Sequence, residues 1–189
     1  MIELPDPQKA FLYEDGFLLT CKPTRIAKVL CLYELYKLAS KVPGALVECG
    51  VFKGSSFCIF AMLRSLLENV WMRKLIAFDT FERFPEATSG DDASMRSVVE
   101  RHAGLDCISV EQLRQMLALK GGGIKENIEL VAGDIRQTVP EFVANNTGTR
   151  VALLSVDVDL EEQTRVILDH LFPIVVQGGV VLFDNYGTF

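Results

Sequence analysis

The chain has 189 residues, 49% of them hydrophobic and 23% charged, with a formal net charge of −6. That length holds one domain with a sizeable core and is short for two, and no uninterrupted apolar stretch is long enough to span a bilayer. An acidic balance without a basic stripe argues against a nucleic-acid partner, because a phosphate backbone is held by clustered Lys and Arg.

The opening segment, MIELPDPQKAF, carries an acid and two prolines where a secretory signal would place basic residues and an apolar core. Cys21, Cys31, Cys49, Cys58 and Cys107 are odd in number and contain no Cys-x-x-Cys pair. Neither a disulfide framework nor a zinc site is supported, which points to a reduced, cytoplasmic protein. Residues 1–44 are expected to form an N-terminal helical segment, with a helix over 24–40 burying Ile26, Val29, Leu30, Tyr33 and Tyr36 on one face.

From residue 45 to 189 the pattern changes to short apolar runs separated by helical stretches, as in one cofactor-binding α/β domain. Strands are predicted at 45–47, 74–78, 128–131, 151–156 and 179–183, and helices around 55–69, 93–102, 109–119, 135–145 and 160–171. The runs are continuous rather than alternating, as in strands covered on both faces. Strand and helix in alternation predict a doubly wound, mostly parallel sheet, in which ligands bind beyond the carboxyl ends of the strands. All five runs end in acids: Glu48, Asp79, Asp134, the pair Asp157 and Asp159, and Asp184 beside Asn185. A single Asp or Asn after a strand is commonly a turn or helix cap. Acids converging on one sheet edge repel unless something cationic lies among them.

VECGVFKGSSF places Glu48 at a strand end, Gly50 and Gly54 in the turn, and Ser55 and Ser56 at the start of an apolar helix. The glycines permit a tight turn and close approach to a ligand, and the helix N-terminus with either serine offers donors to an anionic group. The spacing is Gly-x-x-x-Gly, neither a dinucleotide fingerprint nor a Walker A loop. In LIAFDTFERFP, Asp79, with Thr80 beside it, is placed to accept ribose hydroxyls. Gly133 and Asp134 follow the third strand, where an adenine edge would lie; a helix cap is an equal reading of Asp134.

Taken in order, EcGVfkGss, FDtFerfP, SvEqlRqmL, GDirqTvP, DvDleeqT and FDNYG resemble class I S-adenosylmethionine-dependent methyltransferases, and within them the macrocin O-methyltransferase family. The resemblance implies S-adenosylmethionine as cofactor and a small-molecule hydroxyl as acceptor, on a sugar or glycosylated natural product. By the same resemblance, and by likeness to catechol and caffeoyl-CoA O-methyltransferases, Asp157, Asp184 and Asn185 hold Mg2+ or another divalent cation, and a homo-oligomer is implied. Asp159 is the candidate general base, with a helix cap as its alternative. Asn185 departs from the Asp-Asp of the macrocin pattern. Methyltransferases of this class usually continue with two more strands, so the chain is expected to lack that part of the sheet. A nicotinamide-dependent oxidoreductase and a non-catalytic scaffold of the same fold are the competing functions.

Several residues are given structural readings. His102 and His170 lie in helices without metal-ligand spacing, and Trp71 and Met72 are expected to cover the core. Cys49 has no cationic neighbour to activate it. The stretch 86–92 is expected to be a polar loop, and a lid over the substrate is one role for it.

Overall fold

The computed structural model describes residues 2–86 and 90–184. Five strands, β1 (Ala45–Cys49), β2 (Leu75–Asp79), β3 (Ile128–Ala132), β4 (Val151–Val156) and β5 (Val175–Phe183), form one sheet in the order β3-β2-β1-β4-β5. Every pairing is parallel. This is the predicted doubly wound α/β sheet, and its order reverses between β1 and β4. Seven α-helices accompany it among the described residues: α1 (Ala10–Thr20), α2 (Pro23–Ala39), α3 (Ser55–Leu67), α4 (Gly90–Ala103), α5 (Val110–Leu119), α6 (Ile135–Asn145) and α7 (Glu161–His170).

The strands are apolar along their whole length because both faces are covered. Leu46, Leu75, Ala77 and Leu153 pack with Phe57 and Phe60 of α3, Leu113 of α5 and Tyr36 of α2. Val47, Ile76, Phe78, Leu154 and Val156 face the other way, onto Val139 and Phe142 of α6 and Ile167 of α7. Phe78 meets Phe142 edge to face, with centroids 5.2 Å apart and planes at 87°. Truncating a ring buried as fully as Phe60 to Ala would cost about 3–5 kcal/mol.

At the amino edge of the sheet the buried polar groups are almost fully paired. Arg64, wholly buried in α3, donates to the carbonyls of Arg73, Ile124, Glu126 and Asn127, tying the starts of β2 and β3 together. Arg73 donates to both carboxylate oxygens of Glu68, at 3.0 and 3.1 Å, and to the Val42 carbonyl, while the Tyr36 hydroxyl donates to Glu68. Ser109 and Gln112 form a reciprocal capping box at the start of α5, and the Gln112 amide also donates to the Ile2 carbonyl, anchoring the N-terminal segment.

Three structural expectations are revised. The face of α2 that enters the core is Leu32, Tyr36 and Ala39, whereas Ile26, Val29 and Leu30 are exposed, because no described element covers the first half of the helix. Trp71 and Met72 are also exposed, lying in the turn that joins α3 to β2 rather than over the core. Of the loop expected over 86–92, residues 90–92 belong to α4, which begins at Gly90, and residues 87–89 lie outside the described residues. Helix α1 lies within the expected helical segment 1–44, before the helix expected over 24–40, and none of its residues is buried. No helix among the described residues is long and apolar enough to cross a membrane.

Candidate functional site

The loops that leave β1 and β4 meet where the strand order reverses, the place where an open parallel sheet opens a crevice. The Asp157 amide donates to the Cys49 carbonyl at 2.9 Å, pulling the two loops together. Gly50 lies against this contact with φ at 89°, and a Cβ there would stand 2.0 Å from the Asp157 carbonyl oxygen. Only glycine fits both the backbone angle and the space.

A cavity of about 360 Å³ opens above this floor. Gly50, Asp79 and Thr80 line it on one side and Asp157, Asp159 and Asp184 on the other, while Phe84, Val98, Val99 and Ile135 supply apolar wall. The FERFP segment is held in place by backbone pairing of Phe84 with Leu105 and of Cys107 with Glu82. Helix α4 closes the cavity through Val98, Val99, His102 and Ala103, so His102, read from sequence as structural, stands on the cavity wall with its Nδ1 2.9 Å from the Val98 carbonyl oxygen.

Asp79 is buried and its carboxylate is heavily used. One oxygen accepts from the Val51 and Phe52 amides at 2.6 and 2.8 Å, and the other accepts from the Phe81 amide at 2.9 Å and the Thr80 hydroxyl at 3.2 Å. Phe52 and Phe81 both have positive φ, at 50° and 56°. Asp79 therefore holds the turns after β1 and β2 in conformations that non-glycine residues rarely adopt.

Glu48 does not line the cavity; it lies behind the floor, fully buried, with no hydrogen-bond partner on either carboxylate oxygen. Burial pushes its pKa up to about 8, and the nearby Ser56 hydroxyl, short of a full hydrogen bond, offsets only part of that. Gly54, with φ at 85°, and Ser55 and Ser56 begin α3 behind the same floor. Gly133 follows β3, its amide bonded to the Asp79 carbonyl at 2.9 Å, and does not line the cavity. Asp134 takes the capping reading: it accepts from the Arg136 amide at 2.9 Å and from the Arg136 guanidinium, which also reaches Glu162 of α7. The same guanidinium holds the Asp134 carboxyl below the usual range.

Asp157 and Asp184 leave adjacent strands in register, Val156 beside Phe183, with the Asp184 amide donating to the Val156 carbonyl at 3.2 Å. Burial first, and the Asp184 charge second, push the Asp157 carboxyl upward, while Lys28 works the other way. Lys28, from α2, places its Nζ 2.9 Å from Asp184 Oδ2 and 3.9 Å from Asp157 Oδ2. It had no signature in the sequence, where one lysine on a helix looks like solvated surface. Asp159 faces the cavity and is not the cap of α7, whose cap position is Leu160. Asn185 lies outside the described residues. Among the described residues no group of three or more His, Cys, Asp or Glu side chains forms a metal cluster, so two of the three expected ligands are described, as a close pair. Cys49 is buried, and burial pushes its thiol pKa upward, which agrees with an inert core residue.

The model of the macrocin O-methyltransferase (TylF) family matches residues 28–189. The chain belongs to this family. Among curated relatives, it is 33% identical over 151 residues to 8-demethyl-8-(2,3-dimethoxy-alpha-L-rhamnosyl)-tetracenomycin-C 4'-O-methyltransferase of Streptomyces olivaceus, covering 79% of this chain and 55% of that protein. It is 29% identical over 152 residues to demethyldecarbamoylnovobiocin O-methyltransferase of Streptomyces niveus, with the same coverage. The chain thus spans about half the length of these relatives. Among solved structures, the calicheamicin methyltransferase CalS11 superposes with a TM-score of 0.74 at 28% identity, covering 97% of this chain and 73% of that one. An apo structure of CalS11, described as a TDP-rhamnose 3'-O-methyltransferase, gives 0.65 at 29% identity over 96% of this chain and 71% of that one.

Proposed function

We propose that the chain is the cofactor-binding part of an S-adenosylmethionine-dependent, divalent-metal-dependent O-methyltransferase whose acceptor is a hydroxyl of a sugar or glycosylated natural product. The observation that carries this reading is the convergence of Asp157, Asp159 and Asp184 on one cavity at the sheet's switch point, in a chain of this family. Membership of a methyltransferase family removes the ground for a nicotinamide-dependent oxidoreductase.

The residues fit both groups. Carboxylates along one wall suit the cationic sulfonium and amine of the cofactor, and Phe84, Val98, Val99 and Ile135 suit a purine. Asp157 and Asp184 form a hard-oxygen pair, the donor chemistry that Mg2+ or Ca2+ prefers, and their mutual repulsion favours a cation beside them. With Asn185 as the third ligand, Asp157 and Asp184 would hold that ion. When bound, the cofactor supplies an electrophilic methyl on sulfur and the ion lowers the pKa of an adjacent hydroxyl. Asp159 accepts the proton released by the acceptor hydroxyl, and Gly50 lets backbone approach the cofactor. Asp79 and Thr80 keep the turns after β1 and β2 in place and would border the ribose. Positioning of donor and acceptor supplies much of the remaining acceleration. Glu48, Gly54, Ser55 and Ser56 support the cofactor from behind the floor, through the electrostatics of the carboxyl and the helix start.

A cytoplasmic location is supported by the five free cysteines, and homo-oligomer formation by the uncovered apolar residues of α1, such as Phe11 and Leu19. Calorimetry with S-adenosylhomocysteine, with and without Mg2+, tests the central reading. Micromolar binding that Mg2+ and acceptor strengthen is expected. No binding of the homocysteine compound refutes it, and binding without any effect of metal leaves a metal-independent enzyme or a scaffold.

A further inference from the structure

Lys28 is the only Lys or Arg that lines the cavity among the described residues, and it stands between the two carboxylates assigned to the metal. Its contact spans 156 positions of sequence, so it is a tertiary feature and not a local helix pair. Calcium ligands lie at about 2.3–2.6 Å and magnesium ligands closer still. An ammonium nitrogen 2.9 Å from Asp184 Oδ2 occupies one acceptor site of that oxygen and carries a charge of the same sign as a metal ion. Ammonium and divalent ion therefore compete for the same pair of carboxylates.

We propose that Lys28 is a built-in counter-ion that competes with the divalent cation for Asp157 and Asp184, so that the metal enters as the ammonium withdraws. The inference rests on the metal reading above and adds the residue that governs metal occupancy. The mounting of Lys28 permits the exchange. Downstream, Leu32, Tyr36 and Ala39 anchor α2 in the core, whereas around Lys28 the residues Ile26, Val29 and Leu30 are exposed. Lys28 itself is 36% exposed, so its flexible stem has solvent to swing into. With the ammonium in place its charge offsets part of that of the carboxylate pair; without it that charge is left to an incoming divalent ion.

The test is calorimetric titration of MnCl2 and MgCl2 into the wild-type chain, Lys28→Gln and Lys28→Arg, with Asp184→Asn as the control for the site. Lys28→Gln is expected to bind the ion at least tenfold more tightly than wild type, and Lys28→Arg to stay near wild type. Should Lys28→Gln fail to fold, Lys28→Met takes its place. A second readout uses no metal: in EDTA, urea unfolding of Lys28→Gln, Asp184→Asn and the double variant should show favourable coupling between the two side chains. Equal metal affinity of wild type and Lys28→Gln overturns the competition and leaves the metal reading standing. Absence of binding to every variant overturns both.

Discussion

Asp79→Ala separates a structural role of this carboxylate from a ligand-binding one. In the folded chain Asp79 accepts from three backbone amides, those of Val51, Phe52 and Phe81, at 2.6–2.9 Å. Val51 and Phe81 are buried, so the substitution leaves amides there without an acceptor or water. Hydrogen bonds to a charged group contribute about 1.5–3 kcal/mol each and are not additive, which gives a net loss of roughly 3–5 kcal/mol. The left-handed Phe52 and Phe81 relax once released and return part of their strain, so the lower end is the better expectation. At ~2–4 °C per kcal/mol for a chain of this size, thermal unfolding without any ligand should fall by about 6–12 °C. S-adenosylhomocysteine affinity should fall as well, because the turn over β1 loses its shape. The decisive measurement is urea unfolding of the ligand-free protein: if Asp79→Ala unfolds within about 0.5 kcal/mol of wild type while cofactor affinity collapses, the carboxylate serves the ligand and not the turns.

Asp157→Ala and Asp184→Ala should each abolish metal-stimulated methyl transfer while leaving S-adenosylhomocysteine affinity within a few-fold; unchanged turnover in both refutes the metal assignment. Glu48→Gln tests the buried acid. Because burial raises the folded pKa to about 8, the folded chain holds a proton that the unfolded chain releases near the ordinary carboxyl value. Wild-type stability is therefore fullest below that ordinary value and falls as pH rises toward about 8, by up to a few kcal/mol. Urea unfolding at pH 6 and 8.5 should show a smaller fall for Glu48→Gln, and parallel curves would mean that Glu48 stays ionised in the fold. Gly50→Ala should cost more than ~3 kcal/mol, since its Cβ meets backbone at 2.0 Å and not a movable side chain; a cost below 1 kcal/mol in chemical denaturation would show that the two loops part easily.

The strands were legible because parallel strands covered on both faces must be apolar throughout, and four of the five fall within a residue or two of expectation, β5 being the exception. That strand begins at Val175, ahead of a Gly178-Gly179 step that interrupts the apolar run. Helix α1 was legible only as part of the helical segment expected over 1–44: Phe11, Leu12, Phe17 and Leu18 surround it without a stripe, so periodicity gives it no bounds. The stripe expected on α2 was real as a pattern, but which half of it is covered depends on elements elsewhere in the chain. The acids at the strand ends were legible as a set. Their individual duties were not, because a carboxylate's partner is a tertiary fact: Asp134 goes to Arg136, Asp79 to backbone amides, and Asp184 to Lys28.

The two edges of the sheet treat buried polarity in opposite ways, and the difference bears on where ligand energy goes. At the amino edge Arg64 finds four carbonyls and Arg73 finds Glu68, so charge buried there is compensated within the chain. At the carboxyl edge Glu48 has no hydrogen-bond partner, and Asp157 is driven toward its neutral form by burial and by Asp184. Uncompensated buried carboxyls destabilise a fold unless something outside the chain compensates them. A cation entering this edge would therefore gain twice, by its own contacts and by relief of the repulsion between Asp157 and Asp184. Binding and stability should then rise together, as linkage requires of any ligand that prefers the folded chain. Lys28 supplies part of that relief from within, which would lower the advantage left for a metal if the edge takes one.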